Sequence, residues 1–315
     1  MNIKRVGIVG AGALGILVGQ ALTRAMGRDH VVFIADEPRC ERYRQTGFVS
    51  NGEACDFSFA SEPSGGPLDL IIFALKIYHL EETLPLVRPF VGEDTVLMSL
   101  MNGISSEEII GRALGEAKVI YTVALDMDAT RVGSELSFSR PGFYRIGEAD
   151  GQPSERIQAI ARLFDEAGIV YEIRPDILHQ LWSKLMLNTG VNQTLAVLGG
   201  SYRVIHEDVQ GSRALMRQAM EEVRGLALKE GVVIPEAEID VWFAIIDGLG
   251  PDKQPSMVQD IEAGRETEVE LFAGTVRKLG LKHSIPTPVN DWLYEEIMAK
   301  TARSETAPMT LSKEI

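Results

Sequence analysis

The chain has 315 residues, of which 45% are hydrophobic and 24% charged, an ordinary globular composition with length for about two domains. Its net charge of −14 argues against nucleic acid or an anionic membrane surface as a partner. Two cysteines, Cys40 and Cys55, are too few for a disulfide framework and fit a reducing cytoplasm.

The start, MNIKRVGIVG, leads directly into a strand, so no signal peptide is expected. No apolar run approaches the ~20 residues that span a bilayer. A short apolar strand, Val6–Val9, then runs into Gly10, Ala11, Gly12, Ala13, Leu14 and Gly15 and on into a helix pattern of Leu17, Val18, Ala21 and Leu22. This order is that of a dinucleotide-binding βαβ unit. Gly10 would make the tight turn, Gly12 would let backbone approach a pyrophosphate, and Gly15 would bring helix and strand together. The helix N-terminus would face the phosphate charge. A second strand, 31–35, ends at Asp36, about where such units carry an acid for the ribose.

Up to about Pro175 short apolar strands (6–9, 31–35, 68–74, 95–99, 119–125) alternate with helices. The run 68–74 has the apolar character of a strand buried on both faces of a parallel sheet. Segment 133–147 reads as a β-meander, and 168–173 as a last strand. From Asp176 the signal is helical, over 177–198, 209–230, 256–279 and 288–300. The tail 301–315 is polar and expected to fray. The predicted architecture is α/β: a Rossmann-type doubly wound sheet domain (1–175), then an all-helical domain (176–315), with a cleft between them.

Several separated motifs now align. They are the glycine loop, Phe73-Ala-Leu-Lys76, Met101-Asn102-Gly103, the segment Trp182 to Asn192 carrying Lys184, Asn188 and Asn192, and Ser256 to Asp260 followed by Thr267-Glu268. In this order and spacing the chain resembles the ketopantoate reductase (2-dehydropantoate 2-reductase) family, over nearly its whole length. The resemblance implies a nicotinamide-dependent reductase of a 2-keto acid, with ketopantoate the expected substrate and pantothenate and coenzyme A synthesis its setting. A reductase of another 2-keto acid would use the same residues. A non-catalytic dinucleotide sensor is the alternative of another class, and it has no need of a proton donor.

Lys184, Asn188 and Asn192 recur every four residues and so share one face of an otherwise apolar helix. Hydride transfer to a ketone puts negative charge on the carbonyl oxygen, which a protonated lysine can stabilise and protonate. Two carboxamides can orient a carboxylate or hydroxyl. The resemblance makes Lys184 the general acid and singles out Glu268 as its partner or that of a substrate hydroxyl. It makes Ser256 a substrate contact, although Ser256 and Gln259 also fit a helix capping box. Glu266 and Glu270, beside Glu268, read as exposed helix charges. Lys76 and Asn102 follow successive strands, at the edge where such sheets bind ligands. Lys76 would meet cofactor phosphate or substrate charge; the resemblance places Asn102 between nicotinamide and substrate. No His/Cys spacing suggests a metal.

Two departures stand out. Many relatives hold the 2′-phosphate of NADPH with an arginine after the second strand; here Asp36 and Glu37 stand there. The family default is NADP, but a carboxylate at this point favours the ribose hydroxyl of NAD. Gln193 follows Asn192 where many relatives carry proline, which bears on the pocket beyond Asn192. The amphipathic stretch 209–230 leaves a homodimer open.

Overall fold

A computed structural model gives the fold and describes residues 1–306. The first elements are β1 (Val6–Val9), α1 (Ala13–Met26), β2 (Val31–Ile34), α2 (Glu37–Thr46), β3 (Val49–Ser50), β4 (Glu53–Ala54), β5 (Ser58–Ala60) and β6 (Leu68–Phe73). After these come α3 (Leu80–Val87), β7 (Val91–Ser99), α4 (Ser106–Leu114), β8 (Val119–Leu125), β9 (Thr130–Val132), β10 (Glu135–Ser137), β11 (Phe143–Gly147), α5 (Glu155–Ala167) and β12 (Tyr171–Ile173). The remainder is helical: α6 (Ile177–Leu198), α7 (Arg203–His206), α8 (Ser212–Lys229), α9 (Ala237–Asp247), α10 (Ser256–Glu262), α11 (Thr275–His283) and α12 (Pro288–Thr306). The chain divides into two compact units, Met1–Leu181 and Trp182–Ile315.

The first unit is built on an eight-stranded sheet of order β12-β11-β8-β7-β6-β1-β2-β5. From β5 to β8 every pairing is parallel; β11 joins β8 antiparallel. Helices cover both faces, and the strand sequences show why. Ile8, Leu70 and Ile72 point to the core shared with Ile16, Leu22, Ile160 and Phe164 of α1 and α5. Their neighbours Val9, Ile71 and Phe73 point to the core shared with Leu80, Leu84 and Ile110 of α3 and α4. With a period of two and both faces covered, the central positions of these strands are apolar, as in Leu70–Phe73. Each such side chain, fully buried, contributes about 1.5–3 kcal/mol. Chain order reverses between β1 and β6, so the carboxyl ends of these two strands form the switch point at which open α/β sheets bind ligands.

Segment 133–147, expected as one meander, is split between two sheets. β9 and β10 form a hairpin in a small sheet of order β4-β3-β10-β9, whereas β11 returns to β8 in the large one. At Gly142, which joins them, φ is +69° and a Cβ would stand 2.3 Å from the Leu125 carbonyl oxygen, so only glycine makes this crossing.

In the second unit α6 ends at Gly199 and Gly200, both at positive φ, as expected. Gly190 lets α6 approach α8 closely: a Cβ there would meet Met220 Cγ at 2.6 Å. The expected helix 209–230 begins only at Ser212, because Asp208, Gln210 and Gly211 are left-handed. The expected helix 256–279 is interrupted. α10 stops at Glu262, Gly264 turns at φ +62°, and a π-helical turn, Glu270–Gly274, leads into α11. α12 runs past Lys300 to Thr306; the rest of the expected frayed tail lies outside the described residues.

Candidate active site

In the first unit the glycine loop follows β1. Gly10 has φ +103°, and a Cβ on it would lie 2.6 Å from the Ala74 carbonyl oxygen at the end of β6. A Cβ on Gly15 would stand 1.9 Å from the Gly10 oxygen. Both glycines are therefore required by the protein itself. Gly12 is different: its Cβ would make only an ordinary contact, 3.4 Å from the Ala74 oxygen. The protein leaves room at Gly12, and the N-terminus of α1, which begins at Ala13, has no side-chain cap and no acid in its first turn. Space without a Cβ and uncapped N–H groups together fit a bound pyrophosphate.

Asp36 follows β2 and caps α2, its Oδ1 accepting the Arg39 N–H at 2.8 Å. Its Oδ2 lies 3.6 Å from Arg39 Nε, and the side chain remains 48% exposed. Glu37 is bound instead to Arg44 and to the Ser61 hydroxyl. Lys76 and Asn102, both half-buried, follow β6 and β7, at the same sheet edge as the glycine loop.

Two residues here carried no signal in the sequence. Arg131 of β9 donates from Nη1 to the Ala11 oxygen at 2.5 Å and lies over the Phe48 ring; a lone arginine in a short hairpin looks like any surface cation. Glu107 and Glu108 open α4 as paired acids would on a solvated first turn, yet only Glu108 is exposed. Glu107 is buried, and burial pushes its carboxyl up to about 7. Its Oε2 accepts the Ser106 hydroxyl at 2.7 Å, and Ser106 Oγ meets Ser99 Oγ at 2.8 Å. Ser99 in turn accepts the N–H of Met101, beside Asn102, at 3.2 Å. Among the described residues no three His, Cys, Asp or Glu side chains gather as metal ligands would.

In the second unit α6 carries Lys184, Asn188 and Asn192 on one face. Asn192 Nδ2 donates to Asn188 Oδ1 at 3.3 Å. Asn192 Oδ1 accepts the Ser256 hydroxyl at 3.3 Å and the Met257 N–H at 3.4 Å. Ser256 is thus not the cap of α10; Pro255 holds that position, and the Ser256 hydroxyl turns to α6 instead. Glu268 is not helical. It lies in the turn before the π-helical segment, 8% exposed, while Glu266 and Glu270 on either side are exposed. Burial brings the Lys184 ammonium down to about 8, and the charge of Glu268 opposes that shift. A lysine so poised keeps its proton near neutrality and can release it.

Residues 6–151 match the family model described as Ketopantoate reductase PanE/ApbA, and residues 176–301 match its C-terminal model. The chain belongs to this family. It is an oxidoreductase that uses a nicotinamide dinucleotide. The 2-dehydropantoate 2-reductase of Mesorhizobium japonicum is 28% identical, over 91% of this chain and 94% of that protein. The solved 2-dehydropantoate 2-reductase of Geobacter metallireducens is 29% identical, with TM-score 0.82 over 94% of this chain and 99% of that one. A D-mandelate dehydrogenase solved with NADH and anilino(oxo)acetate has the same fold, with TM-score 0.84 over 96% of this chain and 99% of that one at 21% identity.

Proposed function

We propose that the chain reduces 2-dehydropantoate (ketopantoate) to pantoate, a step towards pantothenate and coenzyme A. The observation that carries this reading is Lys184: a half-buried ammonium brought down to about 8, one and two helical turns before two carboxamides and under the charge of a buried carboxylate. A reduced nicotinamide dinucleotide, held at the glycine loop and the N-terminus of α1, supplies the hydride. Lys184 stabilises the charge that grows on the substrate's carbonyl oxygen and gives that oxygen its proton, leaving the 2-hydroxy acid. Asn188 and Asn192 orient the substrate's carboxylate and hydroxyl, and Ser256 holds Asn192 in place while offering its own hydroxyl. Glu268 keeps Lys184 charged between turnovers. Lys76 and Asn102 serve the cofactor and the substrate end near it.

Asp36 favours a second reading, in which the enzyme prefers NADH and reduces another 2-keto acid. Its half-exposed carboxylate follows β2, where it would bond a ribose hydroxyl and repel a 2′-phosphate. The D-mandelate dehydrogenase of like fold was solved with NADH, so the fold accommodates that cofactor.

The experiment is oxidation of NADPH and NADH, in parallel, with ketopantoate and with a panel of other 2-keto acids. Turnover of ketopantoate well above the rest supports the first reading, and turnover of another acid supports the second. Cofactor binding with no turnover of any acid would overturn both.

A further inference from the structure

We infer that Gln193 is a positioning residue, which sets Glu268 against Lys184 by holding open the π-helical turn that follows Glu268. The inference rests on the catalytic roles proposed above for those two residues. Gln193 stands beside Asn192 on α6 and is wholly buried. A buried carboxamide must have its donors and acceptor matched, and here they tie three segments together. Nε2 donates to the Thr189 oxygen at 2.9 Å and to Asn290 Oδ1 at 3.1 Å. Oε1 accepts the N–H of Ala273 at 2.8 Å.

Ala273 lies inside the π-helical segment Glu270–Gly274. There the backbone ladder slips: Gly274 N–H reaches back five residues to the Val269 oxygen at 3.0 Å, while Leu271 and Phe272 both donate to the Glu268 oxygen. Such a turn holds one residue more than an α-turn, and these insertions gather at functional sites. Ala273 is fully buried, so its N–H cannot turn to water. Gln193 meets that N–H from the helix that carries Lys184. Without it, a buried donor is left unmatched, which is unfavourable, and the turn gains by closing to α-register. Closing it by one residue rotates the chain before it by roughly 100°, which carries Glu268 away.

The far end of the link is itself anchored. Asn290 Nδ2 donates to the Ala219 oxygen and to Glu222 Oε2, and Glu222 caps α12 through the N–H groups of Val289 and Asn290. Gln193 is therefore fixed on the side away from Ala273, as a prop must be.

The test compares wild type with Q193M, which keeps length and apolar bulk, and Q193L, which keeps the bulk alone; neither can accept the Ala273 N–H. Two readouts need no substrate. The first is the pH dependence of Lys184 acylation by a small reagent, followed by mass spectrometry. The second is hydrogen exchange at the Ala273 amide. The expected results are a Lys184 midpoint about one pH unit lower in the variants, with Ala273 exchange faster by ten-fold or more. Where the enzyme turns over, kcat falls at least ten-fold with KM little changed. N290A, which loosens the far anchor and leaves the Gln193 carboxamide itself, should lower Tm and move the Lys184 midpoint in the same direction by a smaller amount. An unmoved midpoint in whichever variant folds, or fast Ala273 exchange in the wild type itself, overturns the proposal. Failure of every keto acid in turnover, with the midpoint still shifted, overturns the catalytic reading and leaves the link between Gln193 and Lys184 standing.

Discussion

Lys184 and Glu268 pull one proton in opposite ways: burial drives it off the lysine, and the carboxylate draws it back, with the balance at about 8. The proton donor of a reduction must be charged at the start, so the reductive rate should be level below that pH and fall as pH rises through it. E268Q removes the opposing charge and should move the fall to lower pH. K184A should lose about 10²- to 10⁴-fold in kcat and still bind the dinucleotide. Initial rates and fluorescence binding across pH check this; near-normal turnover in K184A would sink the assignment.

Gly12 and Gly15 carry opposite expectations. A Cβ on Gly15 would stand 1.9 Å from the Gly10 oxygen, whereas one on Gly12 meets nothing closer than 3.4 Å. G15A should therefore lower Tm whether or not cofactor is present. G12A should fold with Tm near wild type and bind dinucleotide at least ten-fold more weakly, because the methyl group occupies the approach to the pyrophosphate. Calorimetry with and without cofactor separates the two; equal effects on binding and stability at both glycines would exclude a role reserved for ligand at Gly12.

The sheet was legible because burial on both faces leaves runs such as Leu70–Phe73 no polar position. The glycine loop was legible because steric demands at Gly10 and Gly15 are local. Lys184, Asn188 and Asn192 could be grouped by helical spacing alone. What failed was decided at a distance. Ser256 looked like a cap, and its position before Gln259 was no guide to an Asn192 carbonyl brought up by another helix. Glu268 read as helical because its neighbours suit a helix, while Gly264 and the Gln193 carboxamide impose a turn and a wide coil on that stretch. Glu107 shared its sequence signature with the exposed Glu108, and only the fold separates them.

Asp36 caps α2, and the second reading proposed above also sets it at the cofactor ribose; one substitution can divide the two. As the cap of α2 its loss in D36A should cost about 1 kcal/mol, read as a lower Tm. As the acid at the ribose its loss should also shift preference towards NADPH. D36S keeps a capping oxygen and drops the charge, so Tm should recover while the cofactor shift remains. The measure is the ratio of kcat/KM for NADPH and NADH in each protein; a ratio unmoved in both variants removes Asp36 from cofactor choice.

Glu107 predicts how stability changes with pH. Its folded carboxyl is raised from 4.5 to about 7 by burial. Below the lower value it is protonated in both folded and unfolded chains and costs nothing. Between the two the unfolded chain ionises first, so unfolding gains as pH rises. Above about 7 the full cost is present, at most about 3 kcal/mol for a shift of this size. E107Q can keep the acceptor for the Ser106 hydroxyl and cannot ionise. It should match wild type in mild acid and become progressively more stable than wild type as pH rises towards 7. Urea unfolding of both proteins over that range decides it: parallel curves would mean that Glu107 is not the group that titrates.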